Sequence, residues 1–455
     1  MQTSLDYQGP LDDVERIAAV LAKAGLTPEA CRSKAALFIK AASALSSLDG
    51  WRAYFVPGRI EVLGKHTDYA GGHTIVAAAE RGFCLMVTPR DDRQIRVIDA
   101  ARGEETTFVF DRDLVPSAGH WSNYPMTVAR RVARNFSGPL GGADIALASD
   151  LPPAAGMSSS SALLIAVFLA LDGVNGLSER PEYQKNIHTP TDLADYLATI
   201  ENGQSFGALA GDRGVGTFGG SEDHTAILTA RPGHVCEYSY CPVTFRRAIA
   251  LPQGYTFAIG SSGVLAEKTG TAMAKYNRAS RLAGALVELW QSRTGRNDPH
   301  LAAALDSDPE AADRLKGFVE ESHLEEATPS DLRSRLDHFL GENQEILPAA
   351  GDALQQGDVA EFGRLVNRSQ EIAESLLGNQ VPETVFLATA ARQHGAAAAS
   401  AFGAGFGGSV WALVKTDQAA ALLDAWAAAY RDTFPEPAGR ATFFLTGASP
   451  SAFSL

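Results

Sequence analysis

Between Pro57 and Gly72 the chain gathers a guanidinium (Arg59), an ammonium (Lys65), an imidazole (His66), a carboxylate (Asp68) and a phenol (Tyr69). The stretch reads Pro57-Gly-Arg-Ile-Glu-Val-Leu-Gly-Lys-His-Thr-Asp-Tyr-Ala-Gly-Gly72. Polar side chains of this kind among glycines make a poor core element, so a loop is expected that binds a hydroxyl-rich or anionic ligand. A second stretch, Leu151-Pro-Pro-Ala-Ala-Gly-Met-Ser-Ser-Ser-Ser-Ala162, runs straight into an apolar helix. Serines at a helix start satisfy its free N–H groups. The same N–H groups, the helix dipole and several hydroxyls make an anion site, and phosphate is the expected ligand.

Familiar nucleotide motifs fail on context. From Gly58 to Lys65 the glycines have the wrong spacing for a P-loop, and His66 stands where Ser or Thr is required. Gly403-Ala-Gly-Phe-Gly-Gly408 has the glycine spacing of a dinucleotide fingerprint but leads into the strand-like Ser409–Val414 rather than a helix. Gly214–Gly219 matches the spacing too, without a preceding strand.

The elements that must hold these loops follow from periodicity. Helix is expected within residues 11–48, over Ser159–Leu171, Leu193–Ile200, Ala272–Gln291, Asp331–Leu340, Asp358–Glu374 and Thr416–Tyr430. Strands are expected at Arg52–Val56, Thr74–Ala79, Phe83–Thr88, Gln94–Ile98, Ala143–Ala148, Ala396–Ala401 and Ser409–Val414. Asn202–Glu222 reads as a polar, glycine-rich region, and Asp306–Asp313 as a charged linker. At 455 residues the chain divides into an N-terminal helical extension (1–50), an N-terminal domain (51–245) and a C-terminal domain (246–455). Mixed elements in both halves make the fold class α+β, in two lobes.

The composition, 45% hydrophobic and 20% charged, is that of a soluble globular protein. A formal net charge of -14 excludes a general nucleic-acid or acidic-membrane binder but not an anionic small ligand held by local cations and N–H groups. The apolar run Ala162–Leu171 is far below the ~20 residues that span a bilayer. Cys31, Cys84, Cys236 and Cys241 form no CxxC pair and read as buried thiols in a reducing, cytoplasmic setting.

Three ordered segments together resemble the GHMP kinases (galactokinase, homoserine, mevalonate and phosphomevalonate kinases), and the galactokinase branch in particular. Pro57–Gly72 is similar to the galactokinase signature, Leu151–Ala162 to the family's serine-rich phosphate loop, and Ala401–Ser409 to its C-terminal glycine motif. Trp121-Ser-Asn-Tyr124, Glu222-Asp-His224 and Tyr276-Asn-Arg278 are weaker echoes. The resemblance runs from about Trp51 to the C-terminus and implies an N-terminal S5-like mixed α/β lobe, a C-terminal ferredoxin-like lobe and an active site between them. It implies ATP, Mg2+ and transfer of the γ-phosphoryl group to the anomeric hydroxyl of a galactose-type hexose by a monomer or small homo-oligomer.

Residue by residue, the resemblance makes Arg59 and Asp223 catalytic, with Glu222 a rival for the acid. Lys65, His66, Asp68, Tyr69 and Tyr276 would line the sugar pocket, although His66 and Tyr276 fit a packed core equally. Gly156 and Ser158, Ser159, Ser160 and Ser161 would hold the triphosphate, with Trp121 flanking the adenine. Ser160 and Glu201 are the metal candidates, and Gly403–Gly408 would let backbone approach the substrate or close the cleft.

Two departures matter. Galactokinases carry Asn where this chain has Glu61, and Glu, associated with the C6 hydroxyl, where it has Lys65. An ammonium there favours an anionic group, making a uronic acid such as galacturonate an alternative substrate. Otherwise Lys65 pairs with Glu61 or another acid. A non-catalytic sugar- and ATP-binding regulator is the competing class, yet the serine loop and Asp223 are both intact.

Overall fold

Asp13 and Thr27 each accept a hydrogen bond from the first turn that follows, and so start the helices Val14–Leu21 and Pro28–Ser43. The computed structural model describes residues 3–7, 9–265, 270–323 and 327–455. The two opening helices pack onto the body of the protein. Ile17, Leu21 and Phe38 pack with Phe55, Cys84, Met86 and Ala148 against one face of a large sheet. Buried Lys34 also pairs with Asp150 at the entrance to the serine loop.

Among the described residues that sheet has ten strands. Its main path runs Thr3–Ser4, Phe453–Ser454, Arg52–Leu63, His73–Pro89, Ala143–Ser149, Gln94–Asp99, Glu104–Val109. His234–Ser239 pairs with the first half of His73–Pro89 and with Thr244–Ala250. The helix Ser159–Asn175 covers the face opposite the N-terminal helices, so Tyr54 and Val56 meet Leu164 and Phe168 while Ala53 and Phe55 point the other way. Burial on both faces explains the nearly unbroken apolar runs of the central strands.

A second, antiparallel sheet has the order Ala398–Phe402, Ser409–Lys415, Tyr255–Ser261, Thr442–Thr446. Trp426 and Tyr430 from the helix Ala419–Thr433 pack with Val410, Ala412 and Val414 on one face. Trp411 and Leu413 on the other join the core that contains Phe362 and Val366. A helical layer built on Gly270–Thr294 and Pro329–Phe339 buries Leu286, Trp290, Leu315 and Leu336.

Three expectations need correction. Residues 57–63 are not loop: Arg52–Leu63 is one strand, because Ile60, Val62 and Leu63 are buried and pairing to His73–Pro89 continues past a bulge at Pro57/Arg59. The division at 245/246 cuts the strand Thr244–Ala250, and Ala448–Ser449 and Phe453–Ser454 return to the first sheet. The Asp-rich segment does link two helices, Leu301–Asp306 and Ala311–Glu320, by a short turn in which Asp308 Oδ1 accepts the Glu310 N–H. Cys241 is exposed, since it sits in the turn between the strands His234–Ser239 and Thr244–Ala250, whereas Cys31, Cys84 and Cys236 are buried thiols as expected.

Candidate active site

A cavity of about 660 Å³ lies where the two sheets meet. Arg59, Glu61, His66, Asp68, Tyr69, Glu222, Asp223 and Tyr276 line one side, and Gly156, Ser158, Ser159, Ser160, Ser161, Glu201 and Trp121 the other. Gly403 and Ala404 close the rim. Of the expected site residues, Lys65 alone is missing from these walls.

Strand geometry aims the central pair. The period of two puts Arg59 and Glu61 on one face of Arg52–Leu63. Arg59 Nε donates to Asp223 Oδ1 at 2.7 Å, Nη2 contacts the same carboxylate, and Nη1 donates to the Gly156 carbonyl at 3.2 Å. Glu222 Oε1 lies 3.2 Å from Arg59 Nε, so both rival acids touch one guanidinium. Burial alone would lower the Arg59 pKa, but Asp223, Glu222 and Glu61 more than offset it and hold the guanidinium charged. Asp68 Oδ2 accepts the Glu222 N–H at 3.2 Å, an approach possible only because Gly220 beside it has no Cβ.

On the phosphate side the helix Ser159–Asn175 begins at Ser158, which has φ 58° and makes no side-chain cap bond. The first N–H groups are therefore left for an anion, and the Ser158 hydroxyl is buried without a partner among the described residues. Gly156 has φ 73°, and a Cβ there would come 3.1 Å from the Phe402 carbonyl. The C-terminal glycines press on this loop from behind: a Cβ on Gly403 (φ 82°) would lie 2.8 Å from the Gly156 carbonyl. Ser409 Oγ also donates to the Ala155 carbonyl at 2.6 Å. Their position is thus that of a buttress for the phosphate loop.

Of the loop serines, Ser161 bonds to the metal candidate Glu201: its Oγ donates to Glu201 Oε2 at 2.8 Å, because it occupies the inward, fully buried side of the first turn. The same hydroxyl lies 3.3 Å from Asp223 Oδ2. His224, on the same first helical turn as Glu222 and Asp223, places Nε2 3.6 Å from Glu201 Oε2. His66 Nδ1 is 2.9 Å from the Tyr69 hydroxyl, its Nε2 3.2 Å from the Ala404 carbonyl, and its ring 5.4 Å from that of Tyr276.

Lys65 corrects the expectation of a sugar contact. It is fully buried, and Nζ donates to Ser400 Oγ at 2.9 Å and to Ser369 Oγ at 3.3 Å. Ser369 in turn donates to Glu342, which also accepts the Gly64 N–H. The tight turn after Leu63 swings the side chain behind the strand, and those hydroxyls satisfy the ammonium there. Glu61 is the converse case. It was legible as a departure from the signature, but its place on the cavity wall follows only once residues 57–63 are a strand.

Burial pushes the Glu61 carboxyl up to about 7, with Arg59 and Lys65 partly offsetting the shift. Burial and then Glu61 raise Glu222 well above the ordinary carboxylate range, and burial raises Asp68. A folded-state pKa above the ordinary 4.5 means that the stability from protonated Glu61 is complete below about pH 4.5 and is lost as pH rises to about 7. Glu61→Gln is therefore expected to lose less thermal stability than the parent between about pH 5 and pH 8. Matched melting curves check this, and equal slopes would sink it.

The architecture and the cleft define a GHMP kinase. Residues 123–212 match the GHMP kinases N terminal domain, 352–432 the GHMP kinases C terminal family, and 46–89 the galactokinase galactose-binding signature. The chain is 31% identical to the galactokinase of Roseiflexus sp. (strain RS-1) over 377 residues, 83% of this chain and 86% of that one. It is 29% identical to the galactokinase of Chloroflexus aggregans over 381 residues, 82% of this chain and 86% of the relative. The Lactococcus lactis galactokinase structure, solved in complex with galactose, superposes with a TM-score of 0.75 at 22% identity, covering 91% of this chain and 98% of that one. Methanococcus jannaschii mevalonate kinase shares the fold more distantly, with a TM-score of 0.54 at 13% identity over 87% of this chain and 98% of its own. The chain belongs to the galactokinase family and is a galactokinase-like, ATP-dependent sugar kinase. No helix among the described residues is long and apolar enough to cross a membrane.

Proposed function

We propose that this kinase transfers the γ-phosphoryl group of ATP to the anomeric hydroxyl of a galactose-type hexose, with Asp223 accepting the hydroxyl proton. The position of Asp223 carries the reading. Arg59 holds Oδ1 at 2.7 Å while Oδ2 lies 3.3 Å from Ser161 Oγ, at the start of the phosphate-loop helix. A carboxylate on that seam meets a sugar hydroxyl on one side and a phosphoryl group on the other. The hydroxyl oxygen bonds to the γ-phosphorus, the bond to the β,γ-bridging oxygen breaks, the proton passes to Asp223, and ADP departs. Arg59 keeps the carboxylate oriented and favours negative charge on the attacking oxygen.

Asp68 would accept sugar hydroxyls, with His66, Tyr69 and Tyr276 shaping the wall around them. The N–H groups of Ser159, Ser160 and Ser161 and the backbone at Gly156 would cradle the phosphates, and Trp121 would flank the adenine. One carboxylate and one hydroxyl beside a phosphate site suit Mg2+, which prefers few protein ligands, and Glu201 and Ser161 would hold it. When bound, the ion neutralises charge on the transferring phosphates. The unpaired thiols Cys31, Cys84 and Cys236 accord with a cytoplasmic setting.

ADP release from MgATP with D-galactose and with D-galacturonate tests the reading. Turnover of galactose is expected, with galacturonate unused, because Lys65 faces Ser369 and Ser400 and the sugar-side wall is acidic. Binding of sugar and ATP without ADP release would instead mark a regulator.

A further inference from the structure

The sugar side of the cavity holds more carboxyl groups than a neutral hexose uses. Glu61, Asp68, Glu222 and Asp223 all line it, and among the described residues Arg59 is the cation in contact with Asp223 and Glu222. Arg59 is committed to Asp223 and Glu222. Lys65 is turned to Ser369 and Ser400 behind the wall. Asp68 receives the Glu222 N–H. Glu61 receives nothing: it is 3% exposed, its Oε1 is buried, and it has neither hydrogen bond nor ion pair among the described residues.

A buried carboxylate oxygen without a donor is costly unless a ligand supplies one. A hydroxyl supplies one donor and no charge to favour the ionised carboxylates. An ammonium supplies three donors and a compensating charge, and hydrogen bonds to charged groups are the stronger class. Resting on the sugar-kinase reading above, we propose that the sugar pocket is built for a hexose bearing a free amino group, with Glu61 the residue that receives its ammonium and Glu222 assisting. Glu222 is suited to this because its Oε1 lies beside Arg59 without forming a hydrogen bond. The two carboxylates interact strongly enough for Glu61 to be the leading charge acting on Glu222. Near pH 7 a cation between them would draw both to the ionised form.

The test measures kcat/KM of the full chain with MgATP at pH 7 for D-galactose, 2-amino-2-deoxy-D-galactose and 6-amino-6-deoxy-D-galactose. N-acetyl-2-amino-2-deoxy-D-galactose serves as the uncharged control. One amino sugar is expected to exceed galactose by about tenfold, and the N-acetyl sugar to lose that advantage. Glu61→Gln is expected to cut the amino-to-neutral ratio by about tenfold. Should that variant fail to fold, Glu222→Gln is expected to lower the same ratio, and the parent comparison stands alone. Turnover that prefers galactose over both amino sugars would overturn this inference and leave the proposed function standing. Calorimetric titration with the same sugars separates the remaining case. Tighter binding of an amino sugar without any ADP release would support this inference and overturn the catalytic reading, and tighter binding of galactose would overturn the inference.

Discussion

Asp223→Asn is expected to lower kcat by about 10²- to 10⁴-fold, the range for losing a positioned proton acceptor, while the sugar KM moves far less. Asparagine keeps an oxygen where Arg59 Nε now donates at 2.7 Å, so the guanidinium stays aimed and the fold persists. The carboxylate alone is lost, and with it the acceptor for the hydroxyl proton and the charge facing Ser161. ADP-release kinetics with galactose, beside a melting curve, check the prediction. Full activity in this variant would move the role to Glu222, whose Oε1 reaches the same guanidinium.

Arg59→Met should have its largest effect on stability. Arg59 is 4% exposed and stands among Asp223, Glu222 and Glu61. Methionine leaves those carboxylates buried together without their cation, and breaking a buried ion pair from one side costs about 3–5 kcal/mol. The loss should be smaller at acid pH, because Glu61 and Glu222, both raised by burial, then take protons and shed the repulsion. Urea unfolding at about pH 5 and pH 8 reads both the size and its pH dependence. The double variant with Asp223→Asn should lose less than the two singles combined, since the residues share one contact. A loss independent of pH would mean that the carboxylates do not sense the guanidinium.

These two variants separate what one motif does from what two motifs do together. The serine loop was readable because its physics is local: serines before an apolar run leave N–H groups at a helix start whatever surrounds them. The helix Ser159–Asn175 and the open N-terminus at Ser158 follow from it. Arg59 and Asp68 stand out within one polar stretch, whereas Asp223 and Glu201 are implied only by the family resemblance. Residues 57–63 misled because glycine and charge outweigh a β pattern in a short window. Pairing with His73–Pro89 and burial of Ile60 and Val62 override that local signal.

By itself, then, the sequence determined the two-lobed α+β architecture and the phosphate loop, because these depend on periodicity and short-range hydrogen bonding, while most residues of the cleft came through the resemblance of its motifs to a known family. Tertiary structure decided which way each charge points. The Lys65 ammonium finds Ser369 and Ser400, more than 300 residues away in the chain, so no local window could place it. The same packing turns Glu61 inward, brings Ser161 rather than Ser160 to Glu201, and sets the C-terminal glycines behind Gly156. Direction at a buried site is fixed by which distant group satisfies each polar atom, and only the folded chain assembles those partners.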